Sequence, residues 1–125
     1  MPRPAPRRVG ERGAVTAELA LGIPVLLVVT LALAWLLGVV VGQVRVVDAA
    51  REAARAVARG DPEAEAVALA RRIAPPGARV SVRTGEQVTV TVTARIRAPG
   101  PVPGPGARVD ATATALAERP GGTSP

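Results

Sequence analysis

Between Glu18 and Arg45 the chain carries no charge at all, an uninterrupted run of 26 residues (19–44) broken only by Thr30, Gln43 and a few glycines. A bilayer requires about 20 such residues, and at about 1.5 Å per residue this run covers roughly 39 Å. A buried core helix is the competing explanation. It fails on supply, because in a chain of 125 residues nothing else could wrap an all-apolar helix of that length. The run therefore reads as a membrane-spanning helix. A cleaved secretory signal is the second reading, with 19–30 as apolar core and Ala32-Leu33-Ala34 offering small residues for cleavage. Against it, the apolar run continues through Trp35-Leu36-Leu37 to Val44, so that cleavage would leave an apolar N-terminus.

Composition removes most chemistry. There is no His, Cys, Lys, Phe or Tyr, and all 16 basic residues are Arg against 10 carboxylates. A zinc site of the usual ligands, a disulfide, a thiol nucleophile and a Schiff base are thereby excluded. Ser81 and Ser124 have no imidazole or amine to activate them. The expectation is a protein with no catalytic residues, no metal, no cofactor and no small-molecule substrate. The net charge of +6 does not argue for nucleic acid either. Trp35, placed mid-membrane by this reading, is the only aromatic that could stack on a base, and acids interrupt the basic residues of the soluble helix. Arg83, Arg95, Arg97 and Arg108 are read as keeping a Val-rich sheet soluble and its edges unpaired. Arg-only usage with abundant Ala, Gly and Pro reads as a GC-rich, actinobacterial-style coding bias.

The flanks divide the chain into four parts. Residues 1–13 form a basic leader with three prolines in its first six positions, a composition that disfavours packing. Pro24 removes a backbone donor and should kink or soften the apolar helix early. No proline follows from Val25 to Gly60, so 14–59 is expected to be one helix, a membrane span continuing into a stem. Gly60 supplies a C-terminal stop. Asp61 is then expected to cap a second helix with Pro62 at its first position, and Ala66, Leu69, Ala70 and Ile73 should face inward. Beyond Pro75-Pro76-Gly77 the period falls from 3.6 to 2. Val80 and Val82 alternate with polar residues, as do Val88, Val90, Val92, Ala94 and Ile96, with a Gly85-Glu86 link between the two runs. Residues 98–107, Pro or Gly at seven of ten positions, read as a loop, and 108–116 as a third strand. The fold expected is α+β: a single long N-terminal membrane-spanning helix with its stem, then (over 60–116) a short helix and a three-stranded antiparallel meander, with 117–125 a disordered tail. A Val-based module without aromatics should be marginal alone and rely on the stem helix or a partner.

Within the span, Thr30, Ala34, Gly38 and Gly42 recur every fourth residue, a small-residue stripe suited to close helix packing. At the leader boundary, Gly13-Ala14-Val15-Thr16-Ala17-Glu18 places Gly after the arginines and Glu five positions later. This resembles a type IV prepilin processing site. ELALGIPVLL (18–27), DAAREAARAVARG (48–60) and VDATATA (109–115) are similar in order and spacing to the corresponding segments of TadE-like proteins of tight-adherence pili. Leu19 replaces the aromatic usual after the Glu, and the cysteine pair of some members is missing. The resemblance implies cleavage between Gly13 and Ala14 by a prepilin peptidase, and a role for Glu18 in subunit register or partner recognition. It further implies other pilins or Tad assembly proteins as partners, and a cell-membrane location with the N-terminus cytoplasmic. Independently of the family, a carboxylate at the edge of an apolar helix needs a counter-ion, which a neighbour's free N-terminal ammonium provides. Arginine counts alone leave orientation nearly tied, four on each flank of the span. The alternatives are an uncleaved membrane-anchored scaffold and a small secreted domain.

Overall fold

A computed structural model describes residues 2–3, 9–101 and 103–118. Leader residues 4–8 and tail residues 119–125 lie outside the described residues. Two helices precede a three-stranded sheet: α1 Val9–Ala58, α2 Glu63–Ile73, β1 Arg79–Arg83, β2 Gln87–Arg97 and β3 Gly106–Leu116. The chain divides into two compact units, Met1–Ala34 and Trp35–Pro125. The first contains the opening half of α1, and the second contains the remainder of α1 together with α2 and the sheet. The expected α+β class and order of elements are those observed.

In the first unit α1 begins at Val9, inside the basic leader. The last leader proline is Pro6, Glu11 sits in the first turn where an acid complements the helix dipole, and an adjacent long helix needs no new nucleus to extend backwards. Pro24 lies inside α1, and the helix continues through it. The large apolar side chains from Val15 to Leu33 are exposed throughout this unit.

In the second unit α1 ends in a Schellman motif. The Asp61 N–H donates to the Ala56 carbonyl at 3.0 Å and the Gly60 N–H to the Val57 carbonyl at 3.0 Å. Gly60 adopts φ +98°, the left-handed conformation this closure demands. The next helix starts one residue later than expected. Pro62, not Asp61, is the N-cap, and its carbonyl accepts from Glu65 and Ala66. The reason is local: Asp61 is committed to closing α1 through its N–H, and its carboxylate takes Arg59 at 3.4 Å.

The sheet order is β1-β2-β3, antiparallel throughout. Its inward face carries Val80 and Val82 on β1, Val88, Val90, Val92, Ala94 and Ile96 on β2, and Ala107, Val109, Ala111, Ala113 and Ala115 on β3. The opposite face is mostly Ser, Thr and Arg, with Gln87, Asp110 and Leu116 also on it and the Thr91 and Thr112 hydroxyls bonded at 3.2 Å. α1 supplies Val46, Ala49, Ala50, Ala53, Ala54 and Ala56 to the core, and α2 supplies Ala66 and Ala70, with Leu69 and Ile73 half-buried beside them. Spacing of three and four residues puts the α1 set on one stripe. Alanine there lets the helix backbone lie close to the sheet, so Val46, Val88, Val90 and Val92 are the largest fully buried side chains. Each contributes about 1.5–3 kcal/mol. Glu118, assigned by sequence to the tail, donates its N–H to the Ala58 carbonyl at 3.1 Å, satisfying one of the open acceptors at the helix end.

Six of the fourteen buried core residues come from α1, so the stem is part of the module and not merely its tether. A fragment of residues 61–118 should therefore show no cooperative melting by circular dichroism. A fragment of residues 35–118 in mild detergent should melt cooperatively.

Candidate functional site

Two surfaces carry the residues singled out by sequence. The first lies within the first unit. Gly13, Ala14 and Glu18 are exposed on the opening turns of α1. Thr16 Oγ1 donates to the Arg12 carbonyl at 2.9 Å, a bond internal to the helix. Glu18 has no hydrogen-bond or ion-pair partner among the described residues. It borders an apolar groove of about 410 Å³ lined by Val15, Leu19, Gly22, Ile23 and Leu26. Gly22 lies in that lining, and a Cβ there would meet no atom within 4 Å. Sequence reasoning passed over Gly22, although its place one turn beyond Glu18 is a readable signal. A carboxylate at the edge of an apolar helix is costly to place in hydrocarbon without a counter-ion.

The second surface lies within the second unit, where α1 meets the sheet. The four-residue stripe divides here. Thr30 and Ala34 belong to the first unit and are exposed, with Thr30 Oγ1 donating to the Leu26 carbonyl at 2.8 Å. Gly38 and Gly42 belong to the second unit and face the sheet of the same chain. A Cβ on Gly38 would lie 3.7 Å from Ile96 Cγ2, an ordinary contact. On Gly42 it would lie 2.7 Å from Ile96 Cδ1 and 2.9 Å from Ile96 Cγ1, too close to be accommodated in place. Gly42 is thus the socket for Ile96.

Two side chains of α1 reinforce this joint. The Trp35 indole N–H donates to the Ile96 carbonyl at 3.3 Å, and Gln43 Nε2 donates to the Asp110 carbonyl at 3.1 Å. Trp35, expected in mid-membrane, is half-buried against β2. The strand carbonyl is its natural partner, because an indole N–H removed from water needs an acceptor. On the side of α1 away from the sheet, Leu36, Leu37, Val40, Val41 and Val44 remain exposed.

Taken together, these features define a class: an α+β module packed on the second half of a helix whose first half is apolar, exposed and long enough to cross a membrane. Residues 13–55 match the model of the family described as TadE-like protein. The match begins at Gly13, runs through Glu18 and the apolar helix, and ends within the stem; it contains the motif at 18–27 and the opening of that at 48–60, and does not extend to 109–115. Among curated proteins and among solved structures, no match was found.

Gly38 and Gly42 should respond oppositely to added bulk. Gly38→Ala should raise the thermal stability of the module by about 0.5–1 kcal/mol, the helix-interior advantage of Ala over Gly. Gly42→Leu should lower it by about 1–3 kcal/mol through overpacking against Ile96. Thermal unfolding followed by circular dichroism in detergent checks both.

Proposed function

We propose that this chain is a prepilin-like, single-pass membrane protein that serves a Tad-type pilus as a minor pilin or assembly component. The observation that carries the reading is the coincidence of a TadE-like match over 13–55 with an exposed apolar helix that enters a folded α+β module. TadE-like proteins are structural pilus-associated proteins, and the chain acts by helix and domain contacts without catalysis of its own. Its N-terminus is cytoplasmic and its sheet module extracellular.

In this reading a prepilin peptidase cuts between Gly13 and Ala14. Gly10 and Gly13 weaken the opening turns of α1 by about 0.5–1 kcal/mol each relative to Ala, so the scissile bond lies where the helix opens at least cost. Cleavage removes four Arg and one Glu and leaves an ammonium on Ala14. That ammonium and Glu18 are one helical turn apart along α1, so two adjacent subunits can exchange them as counter-ions and fix their axial register. The groove beside Glu18 receives the apolar face of the neighbouring helix.

N-terminal sequencing of the protein purified from membranes tests the reading. A start at Ala14 is expected, and Gly13→Val should leave the leader attached. A start at Met1 or Pro2 identifies an uncleaved scaffold, and a start at Trp35 a secreted domain. Glu18→Gln should preserve processing while reducing crosslinking between subunits, the change a register role demands.

A further inference from the structure

Three arginines on the outward face of the sheet gather at the end where α1 enters the second unit. Arg95 and Arg97 flank Ile96 on β2, whose carbonyl is bonded to Trp35, and Arg108 on β3 stands directly opposite Arg95. All three are exposed, and none has an ion-pair partner among the described residues. Like charges at directly opposed strand positions destabilise a sheet, so this arrangement costs stability unless an anion from outside neutralises it. Arg79 lies one strand further along the same end, and Asp110 is the only carboxylate of that outward surface.

The β2–β3 connection shares this end. Residues 98–105 carry no charge and are bracketed by Arg97 and Arg108. A groove of about 470 Å³ opens between Arg95, Arg97 and the loop at Gly100, Pro101 and Pro103. The residues immediately before Trp35 in the chain are those of the apolar run of α1.

We propose that Arg95, Arg97 and Arg108, with Gly100, Pro101 and Pro103 of the loop that follows β2, form a contact site for the anionic head groups of phospholipids. The proposal rests on the reading that the first half of α1 spans a membrane. Trp35 then sits at the head-group level, where indole rings are favoured. The twenty residues from 15 to 34 cover about 30 Å, the thickness of the hydrocarbon core. Guanidinium groups take phosphate oxygens in paired hydrogen bonds, and the uncharged loop between them can lie against the head groups without desolvating a charge. The contact fixes how deeply the helix sits and holds the sheet close to the bilayer. An acidic protein surface would satisfy the same charges, but nothing ties such a partner to this end, whereas the chain itself delivers the lipid.

The test uses the full chain in vesicles of phosphatidylcholine alone or of phosphatidylcholine with phosphatidylglycerol. Trp35, the sole aromatic residue, reports insertion through quenching by lipids brominated on their acyl chains. Because the chain has no cysteine, Pro103→Cys places a single fluorophore on the loop, read by quenching from head-group spin-labelled lipid. The expected result is Trp35 quenching in both vesicles and loop quenching that is stronger with phosphatidylglycerol and lost in high salt. Each of R95Q, R97Q and R108Q should lower the ratio of docked to undocked module about fivefold, and the triple variant about a hundredfold. Loop quenching indifferent to lipid charge, or to the triple substitution, overturns the proposal while leaving the spanning reading intact. Absent Trp35 quenching in either vesicle overturns both.

Discussion

The close approach of α1 to the sheet is the constraint on which the rest of the structure depends. Helix backbone and sheet meet this tightly because most facing positions of α1 are Gly or Ala, with Val39, Val46, Val57 and Trp35 the larger side chains. Ile96 enters the space left by the missing side chain of Gly42, Trp35 and Gln43 bond strand carbonyls on either side, and Glu118 closes the far end on Ala58. Without an aromatic residue in the core, the module compensates by proximity: many short contacts between small side chains replace a few large ones. The stem helix therefore cannot be removed without removing part of the core.

That joint also separates two environments along one helix. Before Trp35, apolar side chains are exposed all round, the state of a helix awaiting lipid or other helices. From Trp35 onward one face belongs to the sheet, and the other still presents Leu36, Leu37, Val40, Val41 and Val44. An apolar stripe opposite a packed domain suits a protein partner, because an arginine-rich sheet end at the same level does not tolerate hydrocarbon. In the proposed pilus role, the first half of α1 supplies anchoring and Glu18 register, while this stripe offers neighbouring subunits a surface beyond the bilayer.

Much of the fold could be read from periodicity. The alternation of Val with Thr and Arg from Val88 to Arg97 determined a half-buried strand, and the absence of proline after Pro24 determined the continuous helix. Gly60 was legible as a stop because only a left-handed residue closes a Schellman motif. Asp61 was misplaced because one residue served two adjacent termini, and the closing of α1 took precedence over the capping of α2. The candidate site was less legible. Spacing shows that Gly38 and Gly42 share a helix face, but helix–helix and helix–sheet contacts demand the same small residues. Only the fold reveals Ile96 as what covers them. Trp35 was placed by counting residues into an apolar run, and counting cannot register a strand carbonyl that lies 61 residues away in sequence. Arg95 and Arg108 were read separately as solubilising charges, since their opposition depends on strand register.

The most direct test of this account is a single-cysteine scan of α1 in intact cells with a membrane-impermeant maleimide, which the absence of native cysteine makes clean. Cysteines at Leu21, Leu26 and Leu31 should be unreactive, and those at the exposed positions Arg45, Arg51 and Arg55 should react from outside the cell. Labelling at Leu26 as rapid as at Arg51, or no labelling of Arg45, Arg51 and Arg55 from outside, would contradict the account.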